Sequence, residues 1–137
     1  MSLSELETLR RLRKHRADRA ERALGKAKRH QRALQLQVEQ ARQVLEQTRL
    51  QEAQTGAQLL SQHQGQVISF QALKSWNNQE RSLSATTQRE EAQLRGLHGQ
   101  QEQQVTEVDL AQKQVTQCLR EVEKILELSR LLAQEET

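Results

Sequence analysis

A spacing of three and four residues between apolar side chains, kept up over four turns and more, constrains this chain more than any other feature. It runs Ala17, Ala20, Leu24, Ala27, Gln31, Leu34, Val38, Ala41, Leu45, Thr48, with eight of the ten positions apolar. That is the heptad seam of a coiled coil rather than the broad stripe of a helix lying on a globular core. A second seam runs Leu94, Leu97, Gln101, Gln104, Val108, Ala111, Val115, Cys118, Val122, Ile125, Ser129, Leu132, weak at its start and strong toward the C-terminus. Two seams in one chain invite pairing with each other. The predicted fold class is all-α, a long two-helix antiparallel coiled-coil hairpin that is monomeric alone.

Composition closes off the alternatives. Proline is absent, 28% of the 137 residues are charged and 24 are glutamine, so straight-chain residues that lose little rotamer freedom in a helix dominate. A hydrophobic content of 34% leaves too little apolar surface for a conventional core. Low hydrophobicity also marks disordered chains, but sustained periodicity argues against disorder here. Phe70 and Trp76 are the only large aromatic rings, too few for a base-stacking platform. No apolar run approaches the ~20 residues of a membrane span, and the N-terminus has no secretory h-region, so a cytoplasmic protein is expected.

The pattern breaks between the seams, around Gly56, Gly65, Val67, Ile68 and the Ser75-Trp76-Asn77-Asn78 sequence. The turn is therefore predicted within 64–80, giving an N-arm over about 2–63, a tip over about 64–80 and a C-arm over about 81–136. Asn77 followed by Glu80 reads as a capped start for the second long helix near residue 78, with a short helical turn over Gln71 to Lys74. Ser2 and Glu5 form the corresponding signal for the first helix, a capping box. Each arm of about 60 residues would be roughly 90 Å long.

Charge supports the same topology. Residues 1–32 carry eleven Lys/Arg against four acids, net +7, whereas 102–137 carry eight acids against four bases. Folding about the middle lays the acidic segment beside the basic one. Each exposed pair is worth less than ~1 kcal/mol, so charge is expected to choose orientation while seam burial supplies stability.

Nothing in the sequence points to catalysis, a cofactor or a metal. His15, His30, His63 and His98 have no i, i+4 partner among themselves or with Cys118 and read as solvated helix-surface residues. Cys118 itself reads as a small seam residue. Gly25, Gly56, Gly65, Gly96 and Gly99 match no phosphate-binding or dinucleotide pattern. The basic segment from Arg10 to Arg32 could bind nucleic acid, but a basic-zipper protein would not return a second long seam with acids opposite, and no nucleic acid is expected. Two roles are open to Phe70 and Trp76: anchors of an interface, or a cap folded onto the coiled coil, completed by Ile68, Leu73 and Leu83 as an apolar plug.

The run Leu12-Arg13-Lys14-His15-Arg16-Ala17-Asp18-Arg19-Ala20 resembles the opening of the YscO/FliJ family of type III secretion and flagellar export proteins, with its pattern L-R-x-x-R-A-acid-basic-A. The chain is closer to the virulence-type YscO branch. The resemblance implies a central stalk whose terminus-bearing end enters the hexameric export ATPase, whose other end faces the membrane export gate, and which escorts unloaded secretion chaperones at the cytoplasmic face of the apparatus. Mapped here, Arg10, Arg13, Arg16, Arg19 and Arg22 lie at the ATPase end, and Phe70, Leu73 and Trp76 at the gate-facing or chaperone-binding tip. Two other classes compete with this reading: a generic coiled-coil scaffold or homodimer using the same seams between chains, and a basic helical nucleic-acid-binding protein.

Overall fold

A computed structural model describes residues 2–136. Its fold is all-α, with the helix–helix contacts of the expected hairpin: α1 spans Leu3–His63 and α2 spans Phe70–Glu136, and no strand occurs among the described residues. The capping box is present as the sequence predicts. The Ser2 amide donates to Glu5 Oε2 at 3.1 Å and the Glu5 amide donates to Ser2 Oγ at 3.2 Å, satisfying donors that the first turn would otherwise leave unpaired.

Every position of both predicted seams is buried or half-buried, including Gln31, Thr48, Gln101, Gln104 and Ser129. The α1 seam also extends toward the N-terminus on the same register, through Leu6, Arg10 and Arg13. Contacts group the chain into two units, each pairing a stretch of α1 with a stretch of α2.

Unit 1 takes α1 up to Ala33 and α2 from Gln101. Its centre is Ala17 and Ala20 against Val115 and Cys118, with Leu24 and Val122 packed alongside. Small residues on one helix let the compact Val115 and Cys118 side chains of the other pack closely against it. Two cross-helix hydrogen bonds fix the direction: Arg13 Nη1 donates to the Glu121 carbonyl at 2.9 Å, and Gln104 Nε2 donates to the Ala27 carbonyl at 2.9 Å. As the α1 number rises the α2 number falls, so the pair is antiparallel. Gln104 is only 3% exposed, and a buried amide that must find its one acceptor acts as a register pin.

Charge plays a smaller part in unit 1 than the sequence suggests. The basic and acidic segments do share this unit, yet its ion pairs among the described residues, Arg10–Glu7, Arg11–Glu7 and Lys113–Asp109, all lie within one helix. Long exposed side chains lose entropy when paired across water, which leaves little net gain. The cross-helix contacts of unit 1 are those of the seam and the two hydrogen bonds beside it.

Unit 2 covers Leu34–Gln100 and contains the turn. Leu34 and Leu45 are its buried apolar residues, but the seam turns polar toward the turn. Thr87, also buried, donates from Oγ1 to Glu52 Oε2 at 2.6 Å, and Arg49 pairs with Glu91 at 3.0 Å.

The second helix starts at Phe70, ahead of the start expected near residue 78, and Gln71 to Lys74 belong to it. Ser69 is its cap: Oγ accepts from the Ala72 amide at 3.1 Å and the carbonyl accepts from Leu73 at 3.0 Å. Asn77 is inside the helix. Glu80 does not reach back to cap it but accepts from Trp76 Nε1 at 2.7 Å.

Two stability experiments follow from this packing, both read by chemical denaturation with circular dichroism. Ile125 is 1% exposed and its neighbour Leu126 is 42% exposed, so Ile125→Ala should cost about 2–5 kcal/mol and Leu126→Ala less than about 1.5 kcal/mol. Gly65 has φ +73° whereas a Cβ at Gly99, inside α2, meets nothing within 4 Å. Gly65→Ala should therefore destabilise by roughly 1 kcal/mol, and Gly99→Ala should stabilise by about 0.5–1 kcal/mol.

Candidate interaction surfaces

The five arginines singled out in the sequence do not share one face. Arg10 and Arg13 sit on the seam register and are half-buried, Arg10 bridging Glu7 at 3.4 Å and Arg13 reaching the Glu121 backbone. Of the two, Arg13 makes the contact between the helices. Arg16, Arg19 and Arg22 are exposed. Counting round the helix from the seam places Arg16 and Arg19 in neighbouring columns on one flank and Arg22 on the back, away from α2.

Arg16 and Arg19 continue a 3-4 line that begins with Leu9 and Leu12 and passes on to Ala23 and Lys26. Leu12 is more than half exposed. On α2 the corresponding line runs Leu110, Gln114, Gln117, Glu121, Lys124, Leu128, Leu131, in which Leu128 and Leu131 are half exposed. The Arg13–Glu121 contact marks this as the flank on which the two lines border each other. The leucines were not legible as a site, because on a heptad reading they only interrupt an otherwise polar surface.

In unit 2 the turn is built by a few local contacts. Gly65 takes the left-handed conformation that α1 needs to end, and the Gln66 amide donates to the His63 carbonyl at 3.2 Å. The His63 and Trp76 rings stack across the turn, centroids 5.1 Å apart at 22°. His63 is thus half-buried against an aromatic face rather than solvated, unlike His15, His30 and His98. Its role could not be read without knowing which residue the turn brings back to it.

Of the tip residues, Phe70 is 80% exposed and Leu73 is more than half exposed, while Trp76 is half-buried by His63 with its indole N–H bonded to Glu80. The two rings are placed differently: Trp76 closes the turn against His63 and Phe70 stands out from it. Of the residues expected to form a plug, Ile68 and Leu83 are half-buried and Leu73 is exposed. Val67, not singled out in the sequence, is fully exposed beside Phe70. A compositional signal was available, since no Asp, Glu, Lys or Arg occurs from Ala53 to Leu73. An uncharged stretch ending in exposed apolar groups can meet an apolar surface without stripping water from ions.

Among the described residues no group of three or more His, Cys, Asp or Glu could hold a metal ion, and no helix is long and apolar enough to cross a membrane. Neither a curated protein nor a solved structure matches the chain. The family model of type III secretion protein YscO matches residues 6–137, a span that takes in the arginine run, both seams and the turn, and the chain therefore belongs to the YscO family of type III secretion proteins.

Proposed function

We propose that the protein is a non-enzymatic stalk or adaptor of a type III secretion export apparatus. It works at the cytoplasmic face, joins the hexameric export ATPase to the membrane export gate and escorts unloaded secretion chaperones. The observation that carries this reading is the division of labour between the two units: exposed cations with no partner on the other helix in unit 1, and an uncharged apolar tip in unit 2. Family membership supplies the setting, type III secretion.

In this reading unit 1 engages the ATPase through Arg16, Arg19 and Arg22, with Arg10 and Arg13 shaping the end that carries them. Cations exposed to water and held by no cross-helix carboxylate remain available to an acidic lining, and their attraction falls as salt rises. Unit 2 offers Val67, Phe70 and Leu73 to the gate or to a chaperone, and Trp76 acts by holding the turn in shape. Large apolar side chains standing clear of their own fold are effective anchors because little must be rearranged to bury them.

The purified export ATPase provides the first test. The wild-type protein should be retained at low salt and released progressively toward 0.5 M NaCl, and Arg16→Glu with Arg19→Glu should reduce retention about tenfold at unchanged helicity. Retention that ignores both salt and charge reversal would remove the proposed role of the basic end. The tip is tested with the isolated cytoplasmic domain of the gate protein. Phe70→Ser with Leu73→Ser should abolish binding while shifting the thermal midpoint by no more than about 2 °C, as expected for exposed positions, whereas Trp76→Ala should lower that midpoint.

A further inference from the structure

From the flank of unit 1 that carries Leu12, Leu128, Leu131, Arg16 and Arg19 we infer a docking groove for a third helix, amphipathic and acidic along one edge, supplied by a partner protein. The inference deepens the proposed role of the basic end and rests on that reading for the identity of the partner, but not for the chemistry of the groove.

Three observations carry it. The first is apolar exposure on both helices at one flank. On its other flank α2 also exposes Val105, Leu119 and Leu126, but the α1 line there, Arg11, Lys14, Asp18 and Glu21, is charged. In a self-sufficient two-stranded coil, positions outside the seam are expected to be polar. Here Leu12 on α1 and Leu128 and Leu131 on α2 are half exposed or more, with Leu9 half-buried next to them. All four lie in the two lines that border each other on one flank. Leucines on both sides of the same inter-helix groove are what a third helix needs to seat its own apolar ridge.

The second observation is charge along the same line. Beyond Leu12 the α1 line continues Arg16, Arg19, Ala23, Lys26, and none of these three cations forms an ion pair among the described residues. Glu121, the nearest acid on the α2 line, meets α1 through its backbone carbonyl, which accepts from Arg13. A docked helix with carboxylates on its α1-facing edge would find uncommitted donors there. A helix with a basic edge would meet like charge. The third is the position of Arg13, which bonds across the seam at this level and holds the two lines side by side.

The same charges select an acidic helix, and a partner's helix meets that need better than a second copy. The acidic line of this chain's own α2, Glu102, Asp109 and Glu123 among the exposed Val105, Leu119 and Leu126, borders an α1 line with Arg11, Lys14, Lys28 and Arg32. A second copy would therefore bring cations as well as acids to these arginines.

The test uses the full-length protein and two synthetic 21-residue peptides with the same leucine heptads, one flanked by glutamate and the other by lysine, titrated by fluorescence anisotropy at 0.1 M NaCl. The glutamate peptide should bind at least tenfold more tightly than the lysine peptide. Leu128→Gln with Leu131→Gln, and separately Arg16→Glu with Arg19→Glu, should each weaken it at least fivefold. Arg29→Glu, on the back of α1, should leave it unchanged. Equal or absent binding of the two peptides, or an equal loss from Arg29→Glu, would overturn the groove, as would a change in mass showing that the glutamate peptide only displaces a second copy. Each variant is checked for unchanged helicity and thermal midpoint. Peptide binding without ATPase retention would refute the ATPase assignment and keep the groove. ATPase retention lost with Arg16→Glu and Arg19→Glu but indifferent to Leu128→Gln and Leu131→Gln would refute the groove and keep the assignment.

Discussion

The packing of Ala17 and Ala20 against Val115 and Cys118 is the contact on which the rest of this structure rests. Two helices alone have no interior in the usual sense, so each seam residue must remove as much surface from water as its position allows. Alanine on one side lets Val115 and Cys118 on the other become buried. Close approach also brings the Ala27 carbonyl within reach of Gln104, and the Glu121 carbonyl within reach of Arg13. The polar contacts that specify alignment are therefore consequences of the apolar ones. A wider seam would place them beyond hydrogen-bonding distance.

The two units solve the same problem with different materials. Unit 1 buries Leu6 with alanine, valine, cysteine and isoleucine, and one amide, Gln104; unit 2 buries only Leu34, Leu45 and then a threonine bonded to a glutamate. A charged seam position is tolerable near solvent when its oxygens are bonded, as Glu52 is by Thr87, and is costly when they are not. Glu90 Oε2 illustrates the second case, since it is shut off from water with no hydrogen-bond partner among the described residues. Its unit accordingly contributes less binding energy per turn of helix and depends more on the His63–Trp76 stack and the Ser69 cap to stay closed.

The parts of the fold that depend on periodicity were legible in the sequence. Both seams, the helix type and the Ser2–Glu5 cap follow from spacings of three and four residues, which backbone geometry converts directly into a shared face. The start of α2 was not, because Ser69 and Asn77 are both competent caps and only the tertiary turn decides between them. The His63–Trp76 contact has the same origin: it joins residues on opposite sides of a turn whose shape Gly65 sets. Charge was legible only coarsely: the basic and acidic segments do share unit 1. The opposite net charges of the two segments describe an average field, whereas ion pairs need particular side chains to give up their freedom. As for the sites, Phe70 and Leu73 could be found as apolar residues near a break. The split of the arginine run into seam, flank and back could not, because it depends on where the seam register passes through Arg10 and Arg13.

The hydrogen bonds between the helices also differ in how much chain they enclose. Thr87 and Glu52 are 35 residues apart in sequence, Arg13 and Glu121 are 108. Loop closure grows only with the logarithm of length, so the longer loop costs about 1 kcal/mol more than the shorter one. A single enclosed residue such as Ile125 outweighs that difference. The chain termini can thus remain zipped while the turn-proximal seam breathes, and slow amide exchange should concentrate at the end of the sequence map where chains ordinarily fray.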